Sequence, residues 1–416
     1  MNLPEQAKLK EIYGETEKCG ARFESLADNF EKIYHHDHAE YFTSPGRTEI
    51  IGNHTDHNGG KVIAGSINLD TIGAACPNDS DIIRITSEGY DEIVVDLTKL
   101  TRENYPAGTP ALVAGMMEGA KKNGFKTAGF DAYVSTNVIA AAGVSSSASF
   151  EMLVCSIVNH FFNDEKMTFT DYAKIGQYAE NVYWDKSSGM MDQMACAVGG
   201  LITIDFKNPE APVVEKIDFD FGAQDHSLMI VNTGKGHADL SADYSSVPNE
   251  MKKVAQYFGK EVCVEISEEE VIANLAKVRA FAGDRSVMRA FHFFEENKRV
   301  EQEVKALREN DFAAFLEGIT ASGNSSWKWL QNVYTTADVQ EQGISIALAL
   351  TELFIAKKGR GACRVHGGGF AGVIMAMIPN DLVDEYTEYI ENAIGEGNVY
   401  RMSIRPHGAI CVSDRI

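Results

Sequence analysis

Apolar residues recur at three- and four-residue steps through the first forty positions, at Leu9, Ile12, Tyr13, Phe23, Leu26, Phe30 and Ile33. That spacing predicts a pair of amphipathic packing helices. From 41 to 97 the period shortens, with β-rich runs at 62–64, 67–75, 82–87 and 92–97 punctuated by Gly, Asn and Asp, which predicts a sheet. A helix is predicted over 110–122, an alternating strand over 131–137, a strongly apolar helix over 148–162 and a further helix over roughly 171–184. A tight turn at 187–189, a short helix from near Met190 and a strand over 201–206 follow. Pro209, Pro212 and Gly222 mark a boundary, so the chain is expected to divide into domains of 1–212 and 213–416. The second half reads as a strand over 226–232, three or four helices between 248 and 357, a strand over 372–378, a helix over 381–394 and strands near 398–404 and 408–413.

Composition narrows the class. At 416 residues, with 44% hydrophobic and 24% charged residues, the chain is long enough for two globular domains and has no excess of polar sequence to leave unfolded. A net charge of -22 repels phosphate backbones and anionic lipid, so neither nucleic acid nor membrane is an expected partner. It does not exclude a nucleotide, because a few local donors and a bound cation overcome the general field. Seven scattered cysteines without metal-ligand spacing read as reduced thiols of a cytoplasmic protein. The polar N-terminus carries no apolar targeting segment.

Four stretches carry candidate chemistry. Residues 137–148, NVIAAAGVSSSA, lie between the predicted strand and the apolar helix. Small side chains and a helix N-terminus suit close approach of phosphate oxygens, although the same serines suit a simple helix cap. There is no G-x-x-x-x-G-K-[ST], and no G-x-G-x-x-G is expected to follow a strand, since the glycines at 367–372 belong to a loop read as following a helix, so a triphosphate would need another kind of nucleotide fold. A second glycine loop spans 359–372; it permits backbone approach, as a crowded turn would also require. Residues 44–60, SPGRTEIIGNHTDHNGG, gather bidentate donors and acceptors around glycines. On irregular backbone they suit polyhydroxyl recognition, with a polar turn or a zinc site at His54, Asp56 and His57 as alternatives. Glu180 and Asp192 flank the tight turn; with Arg47 they match the metal carboxylate, acceptor base and cation that phosphoryl transfer requires. Solvated surface acids are the alternative reading. His35, His36 and His38 read as a solvated helix end.

Together these stretches resemble the galactokinases of the GHMP kinase superfamily. Residues 44–60 are similar to the signature P-G-R-x-N-x-I-G-E-H-T-D-Y-N-x-G, 141–147 to the phosphate loop G-x-G-L-S-S-S-A, 363–372 to the motif G-G-G-F-G-G, and 180–193 to the stretch that carries a magnesium glutamate and a catalytic aspartate. The resemblance implies an α+β GHMP fold, with two domains of mixed sheets and a cleft between them. It implies ATP and Mg2+ as cofactors, and Asp192 and Arg47 as catalytic residues. Asn53, His54, Thr55, Asp56, Gly189 and Tyr244 would bind the sugar. Ser87, Ala141, Ala142, Gly143, Val144, Ser145, Ser146 and Ser147 would contact ATP, and Ser147 with Glu180 would hold magnesium. The partners would be sugar and ATP alone, in a monomer or weak dimer. Departures from the pattern include Asn53, which stands for its glutamate, His57 for its tyrosine and Ala141 for its first loop glycine. An amide at 53 suggests altered selection at the sugar's C6, admitting galacturonate or arabinose. A sugar and ATP sensor without catalysis is a further alternative.

Overall fold

The structure, a computed structural model, describes residues 2–139, 142–186, 188–234 and 240–413. The strands among them are β1 (Glu40–Ile51), β2 (Lys61–Pro77), β3 (Ile82–Ser87), β4 (Ile93–Asp96), β5 (Phe130–Thr136), β6 (Leu201–Asp205), β7 (Val213–Ile217), β8 (His226–Asn232), β9 (Ala362–Val365), β10 (Val373–Pro379), β11 (Val399–Met402) and β12 (Ile410–Cys411). The α-helices are α1 (Gln6–Tyr13), α2 (Glu17–Tyr34), α3 (Gly108–Lys122), α4 (Ser146–Phe162), α5 (Phe169–Tyr183), α6 (Met191–Val198), α7 (Ser241–Tyr257), α8 (Glu268–Ala273), α9 (Leu275–Ala282), α10 (Asp284–Arg308), α11 (Phe312–Ser325), α12 (Gly343–Lys358) and α13 (Val383–Ile394).

An eight-stranded mixed sheet runs β12-β1-β2-β5-β3-β4, with β6 and β7 joined to the other half of β2. Among the described strands only β3 and β5 pair in parallel. Because successive side chains of a strand face opposite ways, β2 sends Ile72 and Ala74 into a core with α1 and α2, and Ala75 into the core of α3, α4 and α5. Both faces are covered, which is why β2 reads as an apolar run and not as an alternation. The second sheet, β11-β8-β10-β9, repeats the device. Ile230 and Met375 face the first sheet through Ile50, Ile63 and Val144, while Met229 and Ile374 pack on α12 and α13.

Three differences from the expected pattern have physical causes. Six α-helices, where three or four were expected, lie between 241 and 358 among the described residues. Asn274 and Gly283, at φ 89°, break one long apolar stretch into α8, α9 and α10. Residues 44–51, expected as irregular backbone, belong to β1. The division expected at 212 falls between β6 and β7, which pair with each other, and β12 returns from the chain's end to pair with β1.

Candidate active site

The pairing of β1 with β2 shifts register between Pro45 and Arg47 and again between Glu49 and Ile51. Such irregularities re-aim side chains. Here Arg47 and Glu49, two residues apart, line one cleft of about 560 Å³. Its wall also includes His54, Asp56, Lys186, Gly189, Asp192, Tyr244, Gly367 and Gly368.

At one end of the cleft three elements meet. Arg47 Nε donates to Asp192 Oδ1 at 2.8 Å, and Ser145 Oγ donates to Asp192 Oδ2 at 2.5 Å. Arg47 also donates to the Gly143 carbonyl at 2.5 Å, and its backbone N–H donates to the Val144 carbonyl. The strand arginine, the serine loop and the first turn of α6 are thus tied together. Burial would raise the Asp192 carboxyl, but Arg47, then Lys186 and Ser145, outweigh it and hold the pKa at about 2.

Ser145 sits at φ 57° as the N-cap of α4, yet its hydroxyl makes no cap bond. The hydroxyl goes to Asp192 instead. The first N–H groups of α4 therefore lack a side-chain cap and suit an anion. Gly143, at φ 64°, approaches β10 so closely that a Cβ would lie 2.6 Å from Val373. No other residue fits that turn. Ala142 and Val144 are buried, and Ser146 opens the helix. Ala141 lies outside the described residues. Ser87 ends β3 opposite Val134 of β5 and does not line the cleft.

Ser147 Oγ stands 3.5 Å from Glu180 Oε1. Glu180 is buried, and Lys186 Nζ lies 2.5 Å from the same oxygen. Beneath them Gln193 Nε2 donates to Glu180 and to Glu151 at 3.2 and 3.1 Å. Burial, and then the charge of Glu180, raises the Glu151 carboxyl well above its ordinary range, leaving Glu180 as the acid that meets Ser147. A buried carboxylate with a hydroxyl beside it is a hard-oxygen donor set suited to magnesium. The Lys186 ammonium pairs with that carboxylate in the structure, so a metal ion at Ser147 and Glu180 would share or take its place.

The sugar residues expected from the sequence separate into two groups. His54, Asp56, Gly189 and Tyr244 line the cleft. A Cβ on Gly189 would lie 2.0 Å from Asp56 Oδ2, so a larger residue there would push that carboxylate aside. His54 Nε2 bonds the Gly368 carbonyl at 2.9 Å, and burial, then His57, lowers its pKa to about 3. Asn53 and Thr55 do not line the cleft. Thr55 Oγ1 donates to the Gly52 and Lys61 carbonyls. Asn53 is fully buried, donating to Glu49 and the Gly367 carbonyl and accepting from Asn332. Sequence reasoning missed Glu49 and Lys186. The available signals were a lone acid in the apolar run of β1 and a lysine six residues after Glu180.

Residues 28–77 match the galactokinase galactose-binding signature, and 111–200 match the N-terminal domain of GHMP kinases. The chain is 29% identical to a galactokinase of Streptococcus suis over 372 residues, 88% of this chain and 92% of that one. It is 29% identical to one of Haemophilus influenzae, over 83% of this chain and 87% of that one. Among solved structures, a Lactococcus lactis galactokinase complexed with galactose superposes with a TM-score of 0.78 at 26% identity, covering 93% of this chain and 98% of that one. A mevalonate kinase, 15% identical over 88% of this chain and 99% of that one, shares the fold at a TM-score of 0.61.

Proposed function

The chain belongs to the galactokinase family of the GHMP kinases, and from that premise we propose that it transfers the γ-phosphate of ATP to the anomeric hydroxyl of galactose. It is an ATP-dependent sugar kinase; neither a changed acceptor nor a non-catalytic sensor is favoured by its relatives. The observation that carries the reading is the Arg47–Asp192–Ser145 junction, where an ionised carboxylate and a guanidinium share one end of the cleft with the phosphate loop.

Within that reading Asp192 receives the acceptor hydroxyl. A carboxylate with a pKa of about 2 is a weak base, so it orients the hydroxyl and takes its proton only as the new O–P bond forms, as a loose transition state allows. Arg47, held by Asp192 and the Gly143 carbonyl where it lines the cleft, stabilises charge on the transferring group. The α4 N-terminus and the loop amides hold the phosphates. Ser147 and Glu180 would hold magnesium, which supplies charge neutralisation across the phosphate oxygens. His54, Asp56, Gly189 and Tyr244 form the sugar side. Along the chain the domains are 1–212 and 213–416, with β7 and β12 of the second joining the sheet of the first. A monomer or weak dimer in the cytoplasm is the setting we assign; free thiols at all seven cysteines support it. Among the described residues no helix is long and apolar enough to cross a membrane.

Coupled ATP turnover with magnesium over a panel of galactose, galacturonate, arabinose and N-acetylgalactosamine tests the function. Galactose is expected to be the preferred acceptor. Sugar binding without turnover would leave a sensor in its place.

A further inference from the structure

Glu49 is a carboxylate built into the cleft wall from behind. Its Oε1 accepts from Arg364 Nη2 at 2.5 Å and from Asn53 Nδ2 at 3.0 Å. Its backbone N–H donates to His366 Nε2 at 3.1 Å, and Arg364 Nη1 donates to the carbonyl of Ile50 beside it at 2.7 Å. Arg364, Asn53 and His366 are themselves buried. Oε2 takes no hydrogen bond from any described residue, and the side chain lines the cleft two residues from Arg47 on the same strand face.

A buried ion pair is seldom the most stabilising filling for a core. Two buried groups, Arg364 and Asn53, that fix one oxygen and leave the other to the cleft, with the backbone behind them held by His366 and Arg364, describe a preorganised acceptor. The signature pattern has an amide at the position of Glu49 and a carboxylate at that of Asn53; this chain has the two exchanged. The acid has not been lost, since the exchange moves it four residues along the chain, and the amide left at 53 becomes its clamp.

We propose that Glu49 is a specificity-determining residue that accepts a hydrogen bond from one hydroxyl of the acceptor sugar, with Asn53 and Arg364 aiming it. The proposal rests on the sugar kinase reading above. It reverses the expectation drawn from Asn53 alone. An anionic oxygen in that wall favours a neutral polyol and repels a uronate, so galacturonate is disfavoured and not admitted.

The test compares the parent enzyme with Glu49→Gln, an isosteric change, on galactose and its 2-, 3-, 4- and 6-deoxy derivatives, with calorimetric sugar binding in parallel and a melting curve to establish that the variant folds. Losing a charge-assisted bond to a hydroxyl lowers kcat/KM by roughly 10- to 100-fold. The parent should therefore prefer galactose over one deoxy sugar by about that factor, and in Glu49→Gln this single preference should collapse below about threefold, with galacturonate gaining relative to galactose. A folded Glu49→Gln enzyme that keeps every deoxy preference overturns the proposal, whether read by turnover or by binding. A parent enzyme that binds these sugars but never turns over ATP overturns the kinase reading instead, and the binding preferences still decide the role of Glu49.

Discussion

Asp70 and Asp192 are both aspartates beside arginine, and the difference between them separates architecture from chemistry. Asp70 is wholly buried: Oδ1 meets Arg22 at 2.7 Å, and Oδ2 meets Tyr13, Thr43 and Arg405 at 2.6, 2.7 and 2.9 Å. Its ligands come from α1, α2, β1 and the chain's last segment, so the carboxylate pins both ends of the molecule to β2. Asp192 has one arginine and one serine, and its side chain is 30% exposed to the cleft. A carboxylate whose lone pairs are all claimed by protein holds protein together. One with lone pairs still facing a cavity can receive a substrate. Glu49 combines the two, with one oxygen claimed and one open.

The largest effect should come from Asp192→Ala, which removes the group that orients the acceptor and the counter-charge of Arg47. We expect kcat to fall by about 10³-fold or more, with sugar affinity changed far less. A variant that retains turnover in the coupled assay would mean that the acceptor is received elsewhere. Asp70→Asn should do the opposite. It leaves Arg405 buried without its charge partner and costs about 3 kcal/mol of stability, while kcat of the folded enzyme stays within about twofold because Asp70 does not line the cleft. The Asp70 carboxyl lies below its ordinary range: burial pushes it up, but Arg22 and Arg405 pull it further down. Its contribution is therefore complete above the unfolded value of about 3.9 and is lost as pH falls through the folded one. The gap in melting midpoint between parent and Asp70→Asn should narrow on acidifying from pH 5; a gap that widens would contradict the ion-pair account.

The contrast was only half legible in the sequence. Arg47, Asp192 and the serine loop could be named because glycines and small residues around a few polar ones leave a motif, and the fold brings these residues into contact. Asp70 and Arg405 leave no motif. A single acid in β2 and a single arginine near the C-terminus become partners only through the antiparallel return of the tail. The same limit misdirected the reading of Asn53: its place in the signature was visible, but its burial behind Glu49 depends on Arg364, Gly367 and Asn332, about 280 to 310 residues away along the chain. Helix boundaries between 248 and 357 failed for a local reason, since Asn274 and Gly283 interrupt an apolar period that otherwise runs on.

The smallest expected effect sharpens the comparison on the functional side. Asp192 at about 2 and His54 at about 3 both finish titrating far below neutrality, the first held ionised by Arg47 and the second held neutral by burial. Because the depressed Asp192 value makes the active, ionised form dominant at any pH above it, kcat/KM for the sugar at saturating nucleotide should be flat from about pH 5.5 to 8.5, with no acid limb from either group. An acid limb that persists in Glu49→Gln, which removes the carboxyl that burial pushes up in the cleft wall, would place proton removal on a group other than Asp192. The open carboxylate of the cleft would then only position the acceptor, and what distinguishes it from Asp70 would be geometry alone.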